Sequence, residues 1–429
     1  MKKLLLIVMA LVFLAGGKAY ADDVLNFSQF NPLWTSGSTA EINLIGNFSF
    51  GANLANAGAG IKNIIGNGFT LDGAGYSGLN LTGRYATITG SMTFQNFVSA
   101  SSGGAVYLNT GSTITFSSTT FRSNTANFGG AVFAASVSSM VFDGSMTFDS
   151  NHANVSGGAI FSVVNPLSLT QRYVFKDTVT FINNTAADKG GAVYLGGGAD
   201  INFASAKFYV INNMAEYGGF LYATCNKTID FYWDNMTIEG NYATYGGTLY
   251  AERPTGSDLA QLRFRGTTTT MSMANSTAAY GGVIALGRLG GVDFSPTKLI
   301  AENNRASHSG GFLYVSGVGN VGNSGQAMFN DSYFIGNTAG NYGGAIYSSV
   351  GLFSFQPRVS PIREYVVFRE NSAGDSGGAI YAINNSIFHF TGGSVEFRSN
   401  SAGSGKGGAI YGDASTELIF SVTTSLFML

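Results

Sequence analysis

Apolar and polar residues alternate with period two along most of the chain. Thr113-Ile114-Thr115-Phe116 and Val395-Glu396-Phe397-Arg398 are examples. Such runs, rich in β-branched and aromatic residues and bounded by Gly, Asn and Ser, predict short strands. Beyond the N-terminal leader no i, i+3, i+4, i+7 stripe stands out, so no helix is predicted there.

Two marks punctuate the strands. A Gly-Gly pair opens a short apolar run eleven times, from Gly103 to Gly407, at a mean spacing of about 30 residues. Gly343-Gly344-Ala345-Ile346-Tyr347 and Gly377-Gly378-Ala379-Ile380-Tyr381 are the strongest copies. The second mark is Phe-x-x-Asn, with its Asn five to seven residues ahead of the pair. It reads Phe121/Asn124, Phe148/Asn151, Phe181/Asn184, Phe334/Asn337, Phe368/Asn371 and Phe397/Asn400, with Val210/Asn213 and Ile238/Asn241 as relaxed copies. Strands and turns repeating every ~30 residues describe coils of a solenoid, whereas propeller blades need ~40–50. The expected fold is all-β: a parallel β-helix of roughly 12–14 coils over 61–429.

The motif residues take physical roles. Phe of Phe-x-x-Asn should point inward and stack on its copy in the next coil. Asn tolerates the left-handed backbone of a tight corner, and stacked Asn side chains can hydrogen-bond along the axis. The Gly pair should supply positive φ at the next corner. After the pair, Ala and Tyr would share one face and Ile the other. The Ile position is always aliphatic, while the Ala position admits Phe and Thr; the stricter position is placed inside. The Tyr position then faces out. It holds Tyr107, Phe133, Phe161, Tyr194, Tyr222, Tyr250, Ala285, Tyr314, Tyr347, Tyr381 and Tyr411. An external aromatic ladder follows, spaced by the ~4.8 Å between strands. It either stabilises the sheet by stacking or forms a binding strip.

Composition narrows the class. Glycine is 60 of 429 residues, roughly twice the usual ~7%. Charged residues make up 11% and the net charge is −2, while 45% of the chain is apolar. That balance opposes disorder and leaves no basic stripe for nucleic acid. The single cysteine, Cys225, excludes a disulfide framework. Residues 1–21 read as a signal peptide: Lys2 and Lys3, an apolar stretch Leu4–Ala15, and an Ala19-Tyr20-Ala21 cleavage site. The mature chain is therefore expected to be exported, with no transmembrane helix. Residues 22–60 would cap the open end of the solenoid.

Candidate chemistry is sparse. Gly73-Ala74-Gly75-Tyr76-Ser77-Gly78 fits G-x-G-x-x-G, but with no helix following it reads as a turn. Asp230, Asp234 and Glu239, beside Trp233 and Lys227, form the densest acidic cluster and the best place for a carbohydrate-active site. A solvated strand face explains them better. His152, His308 and His389 lie far apart. No catalytic, metal or cofactor site is expected, and the chain is read as a non-enzyme. The rivals are a polysaccharide lyase or hydrolase on the same scaffold, and a structural envelope protein associating end to end.

Phe-x-x-Asn paired with Gly-Gly-Ala-(Ile/Leu/Val) resembles the repeat of the polymorphic membrane proteins of chlamydiae. The resemblance covers about 94–411 through the motifs quoted above. It implies a right-handed parallel β-helix, the passenger of an autotransporter, displayed on a bacterial surface and acting in adhesion to a host-cell protein or glycan. It also implies that the motif residues are framework. Members of that family end in an outer-membrane β-barrel; nothing of that kind follows Leu429, so no C-terminal β-barrel is expected here.

Overall fold

The computed structural model describes residues 21–135, 138–164, 173–197, 201–204, 207–225, 228–232, 235–253, 260–265, 270–294, 298–317, 325–356 and 365–428. The expected leader lies outside them but for its last residue. Trp233, Asp234 and Lys227 lie outside as well.

The chain is a parallel β-solenoid. Each coil lays short strands onto the same strands of its neighbours, in register. The eleven strands that follow the glycine pairs, together with Leu79–Thr82 ahead of them, form one 12-stranded sheet, one strand per coil. The remaining long strands form a 27-stranded sheet of two ladders. These fuse where Ile387–Arg398 and Glu417–Met428 each run through both. Among the described residues, no helix is long and apolar enough to cross a membrane.

Columns of like residues fill the interior, and only their last members, Phe420 and Phe427, are exposed. Phe116, Phe142, Phe175, Phe203, Phe231, Phe264, Phe294, Phe329, Phe355, Phe390 and Phe420 stack with centroids 4.2–5.6 Å apart. The Phe of Phe-x-x-Asn makes a second column, in two pieces. Phe94, Phe121, Phe148 and Phe181 stack at 4.8–5.3 Å, and Phe334, Phe368, Phe397 and Phe427 at 4.6–5.0 Å. Between the pieces, the register position holds Val210, Ile238, Met273 and Ala301.

The Ala after the glycine pair does not share a face with Tyr, as alternation suggested. It is buried along with the Ile position, from Ala105 and Val106 to Ala379 and Ile380. The reason is that Ala still belongs to the corner; the strand, and with it the period of two, begins one residue later. This explains the tolerance for Phe. In the coil where the Phe column shrinks to Val210, the Ala position becomes Phe220, whose ring packs 5.2 Å from Phe181. Where it shrinks to Ala301, the Ala position becomes Phe312, 5.4 Å from Phe334. These two coils keep their core volume by exchanging a large and a small residue between the strand and the glycine corner.

The asparagine corner also differs in detail. The left-handed residue is the one before the Asn: Ser123, Ser150, Asn183, Asn212, Gly240, Asn303, Gly336, Glu370 and Ser399 all have positive φ. That leaves the Asn side chain free to lie inside and bond along the axis. Asn124, Asn151, Asn184, Asn213 and Asn241 form one run: each Nδ2 donates to the next Oδ1 at 2.9–3.1 Å. Each Oδ1 also accepts the preceding Asn backbone N–H at 2.9–3.1 Å. Ser276 interrupts the run. It resumes through Asn304, Asn337, Asn371 and Asn400. Asn304 was missed in the sequence because its motif begins with Ala301 instead of Phe.

The glycine pair splits its work. The first glycine has positive φ throughout, for example +65° at Gly343. The second is required by close approach: a Cβ on Gly344 would lie 2.1 Å from the Gly378 carbonyl oxygen of the next coil.

The 22–60 segment contains a helix that the strand-dominated pattern did not reveal, Phe27–Thr35. Asn26 caps it, its Oδ1 accepting the Gln29 N–H at 3.1 Å. Phe30 and Trp34 are buried, and Phe30 meets Phe48 and Phe50 at 5.8 and 5.9 Å. Coiling already begins here, since Asp22–Val24 pairs with Ala40–Leu44, and that strand with Lys62–Ile65. Buried Lys62 ties the helix end down, donating to the carbonyl oxygens of Ser36 and Ser38 at 2.8 and 2.6 Å.

Candidate functional site

The outer face of the 12-stranded sheet carries the aromatic row. Tyr107, Phe133, Phe161, Tyr194, Tyr222 and Tyr250 stack in one run, with centroids 4.4–5.5 Å apart and planes within 12°. Tyr314, Tyr347, Tyr381 and Tyr411 form a second run at 4.8–5.5 Å, within 13°. Ala285 separates them in register. The geometry has a chemical consequence. Each ring covers the face of the next, so the row presents edges and hydroxyls outward rather than ring faces.

The row is less open than expected. Tyr222 is only 4% exposed, and its neighbours are half-buried. A second aromatic row, on the residue before the glycine pair, lies beside it. Tyr217, Tyr245 and Tyr280 stack at 5.0 and 4.9 Å. Tyr217 meets Tyr222 and Tyr250 edge-on at 82°. Tyr280 packs 5.1 Å from Tyr314, and Tyr342 4.6 Å from Tyr381. The sequence does carry the signal: Phe128, Tyr217, Tyr245, Tyr280 and Tyr342 all directly precede a glycine pair.

Several hydroxyls are engaged. Tyr222 and Tyr250 donate to the two carboxylate oxygens of Glu252, at 2.5 and 3.1 Å. Lys189 sits over the Tyr217 and Tyr222 rings, at 5.8 and 5.2 Å from their centroids. Burial, followed by the charge or hydrogen bond of Glu252, pushes the Tyr222 and Tyr250 phenols far above their usual range. Burial raises Tyr347 to about 12, with Tyr314 the next cause. These phenols stay neutral at physiological pH and act as hydrogen-bonding groups, not bases.

Of the acidic cluster, the described residues Asp230 and Glu239 lie on two different ladders. Asp230 is held by a bidentate pair with Arg263, both contacts 2.7 Å. Glu239 accepts from Asn275 Nδ2 at 3.1 Å. His152 Nδ1 lies 2.8 Å from Thr185 Oγ1, and His308 packs on Tyr280. Among the described residues, no three His, Cys, Asp or Glu side chains converge as a metal site would require.

The Chlamydia polymorphic membrane protein repeat matches residues 145–163, 178–196, 331–349, 365–383 and 394–413. The chain carries polymorphic membrane protein repeats. Each match contains one Phe-x-x-Asn corner, one glycine pair and the outer aromatic that follows it. A polymorphic membrane protein repeat is thus one side of a coil: an inner Phe, a buried Asn, a glycine corner and an outward ring. The coils between 197 and 330 keep this geometry with altered residues, such as Val210 for Phe and Ser276 for Asn. No curated protein and no solved structure matches the chain.

Proposed function

We propose that the chain is exported and displayed at a bacterial surface as an autotransporter-like passenger, and works there by binding a host-cell protein or glycan. The recurrence of the polymorphic membrane protein repeat on one parallel β-solenoid carries this reading. Apart from the outward ring, the repeat residues are spent on the frame, facing inward or packed in corners. Outward positions can therefore vary along a long lateral surface without cost to the fold. The leader at 1–21 supports export.

Two measurements test it together. Protease shaving of intact source cells, with a periplasmic control and an antibody to residues 22–429, should digest the protein from outside. Purified chain immobilised on beads should retain host cells above a scrambled-surface control. Protection until the outer membrane is broken, or no retention on any host cell type, overturns the proposal.

A further inference from the structure

Because the outer rings cover one another, an open ring face exists only where a run stops. Tyr107 begins the first run. One face stacks on Phe133 at 5.2 Å. On the other side, the register position in the preceding coil is Asn80, which carries no ring. A cavity of about 340 Å³ opens there, inside the ~300–1,000 Å³ range of small-molecule sites. Tyr107, Ser77, Asn80, Ser99, Ser101 and Ser102 line it, and among the described residues no charged side chain does.

The polar groups are available. Among the described residues, the hydroxyls of Ser77, Ser101 and Ser102 make no hydrogen bond within the chain. Asn80 uses its Oδ1 to accept from Thr82 at 3.2 Å, which leaves its amide N–H groups facing no internal acceptor. Tyr107 is fixed at its tip, where its hydroxyl accepts from Asn109 Nδ2 at 3.1 Å. A rigid aromatic wall with neutral donors and acceptors around it, and no cation, suits one ligand chemistry. The C–H face of a pyranose packs on the ring, while its hydroxyls exchange hydrogen bonds with serines and an amide. A phosphate or an acidic sugar would find no counter-charge.

We propose that this cavity binds a neutral sugar unit, with Tyr107 as the stacking wall and Asn80 and the serine hydroxyls as its polar contacts. The proposal rests on the reading of the chain as a binding protein and gives that reading a ligand class and a site.

The test uses the purified full chain. Glucose, galactose, mannose, N-acetylglucosamine, N-acetylgalactosamine and their disaccharides are titrated by saturation-transfer NMR, beside sialylated and sulfated sugars. At least one neutral sugar should bind, with the protons of one ring face saturated most. Tyr107→Ala should weaken it by about tenfold or more, and Tyr107→Phe by less than about threefold. The double variant Ser101→Ala/Ser102→Ala should also weaken it, and both serines are exposed enough to change without disturbing the fold. Tyr232→Ala, an exposed tyrosine on the long sheet, should leave binding unchanged. Binding of acidic sugars alone, of none, or of a neutral sugar indifferent to Tyr107→Ala and the serine pair overturns the proposal. Host-cell retention that survives without sugar binding leaves the adhesin reading standing while this one falls. Sugar binding without cell retention does the reverse.

Discussion

The large-for-small exchange inside the coils makes a quantitative prediction. Phe312 stands where most coils have Ala and is fully buried, its ring edge-on to Phe334 at 64°. Phe312→Ala removes a whole ring from a close-packed interior, which costs about 3–5 kcal/mol. Ala301→Phe alone forces a ring into the Phe-x-x-Asn column while Phe312 still fills the space, a strain of about 1–3 kcal/mol. The double variant rebuilds the Phe-x-x-Asn and Gly-Gly-Ala of the standard coil. The new ring would occupy the register position next to Phe334. The double should lie within about 1.5 kcal/mol of the parent, a coupling of roughly 3 kcal/mol or more in its favour. Urea unfolding followed by far-UV circular dichroism gives all four stabilities. Solenoid coils couple chiefly to their neighbours, so hydrogen exchange on the strand Leu313–Ser316 supplies a local reading. If the double loses as much as the two singles summed, the idea of conserved coil volume is wrong.

Other consequences can be checked the same way. Asn184→Ala strips the buried Asn151 of its acceptor for both the backbone N–H and Nδ2, at 3.1 and 3.0 Å. At about 1–3 kcal/mol for each orphaned donor, it should cost about 2–6 kcal/mol, whereas Asn154→Ala, at an exposed residue, should cost under about 0.5. Equal midpoints for the two would refute the ladder's energetic role. Gly344→Ala puts a methyl against backbone of the next coil and should lower the thermal midpoint sharply or abolish folding; an unchanged midpoint would show that the coils can part. Tyr347 is raised from 10.0 to about 12, so the folded chain binds its proton more tightly than the unfolded one. Its contribution is intact below pH ~10 and is lost as pH rises towards 12, at up to ~1.4 kcal/mol per pH unit. Ultraviolet titration of the parent against Tyr347→Phe should show the missing phenol ionising late, and a difference appearing near pH 10 would contradict the burial argument.

Much of the fold was legible because a solenoid repeats its physics. The glycine pair and Phe-x-x-Asn recur at coil length, so the strands, the parallel stacking and the inward Phe and Ile columns followed from the spacing. The corners were harder. The turn at Ser150 belongs to the residue before Asn151, and Ala159 points inward although it sits two residues from an outward Phe161. Alternation describes strands and fails at bends. Asn304 escaped because a pattern that insists on Phe cannot see Ala301 compensated by Phe312 eleven residues on. The helix Phe27–Thr35 offered Phe27, Phe30 and Trp34 at helical spacing behind an Asn cap, but it is short and contains Pro32.

The candidate site divides along the same line. That a ring points outward in every coil with a glycine pair but that of Ala285 was readable from strand parity, because successive residues of a strand face opposite sides of the sheet. How open each ring is comes from packing between coils. That depends on what stands beside it in neighbouring coils: Tyr194, Tyr250 and Glu252 against Tyr222, Phe133 over one face of Tyr107, and Asn80 towards the other. Direction is a local property of the backbone, whereas exposure is set by residues about 30 positions away in the chain and one strand spacing away in space.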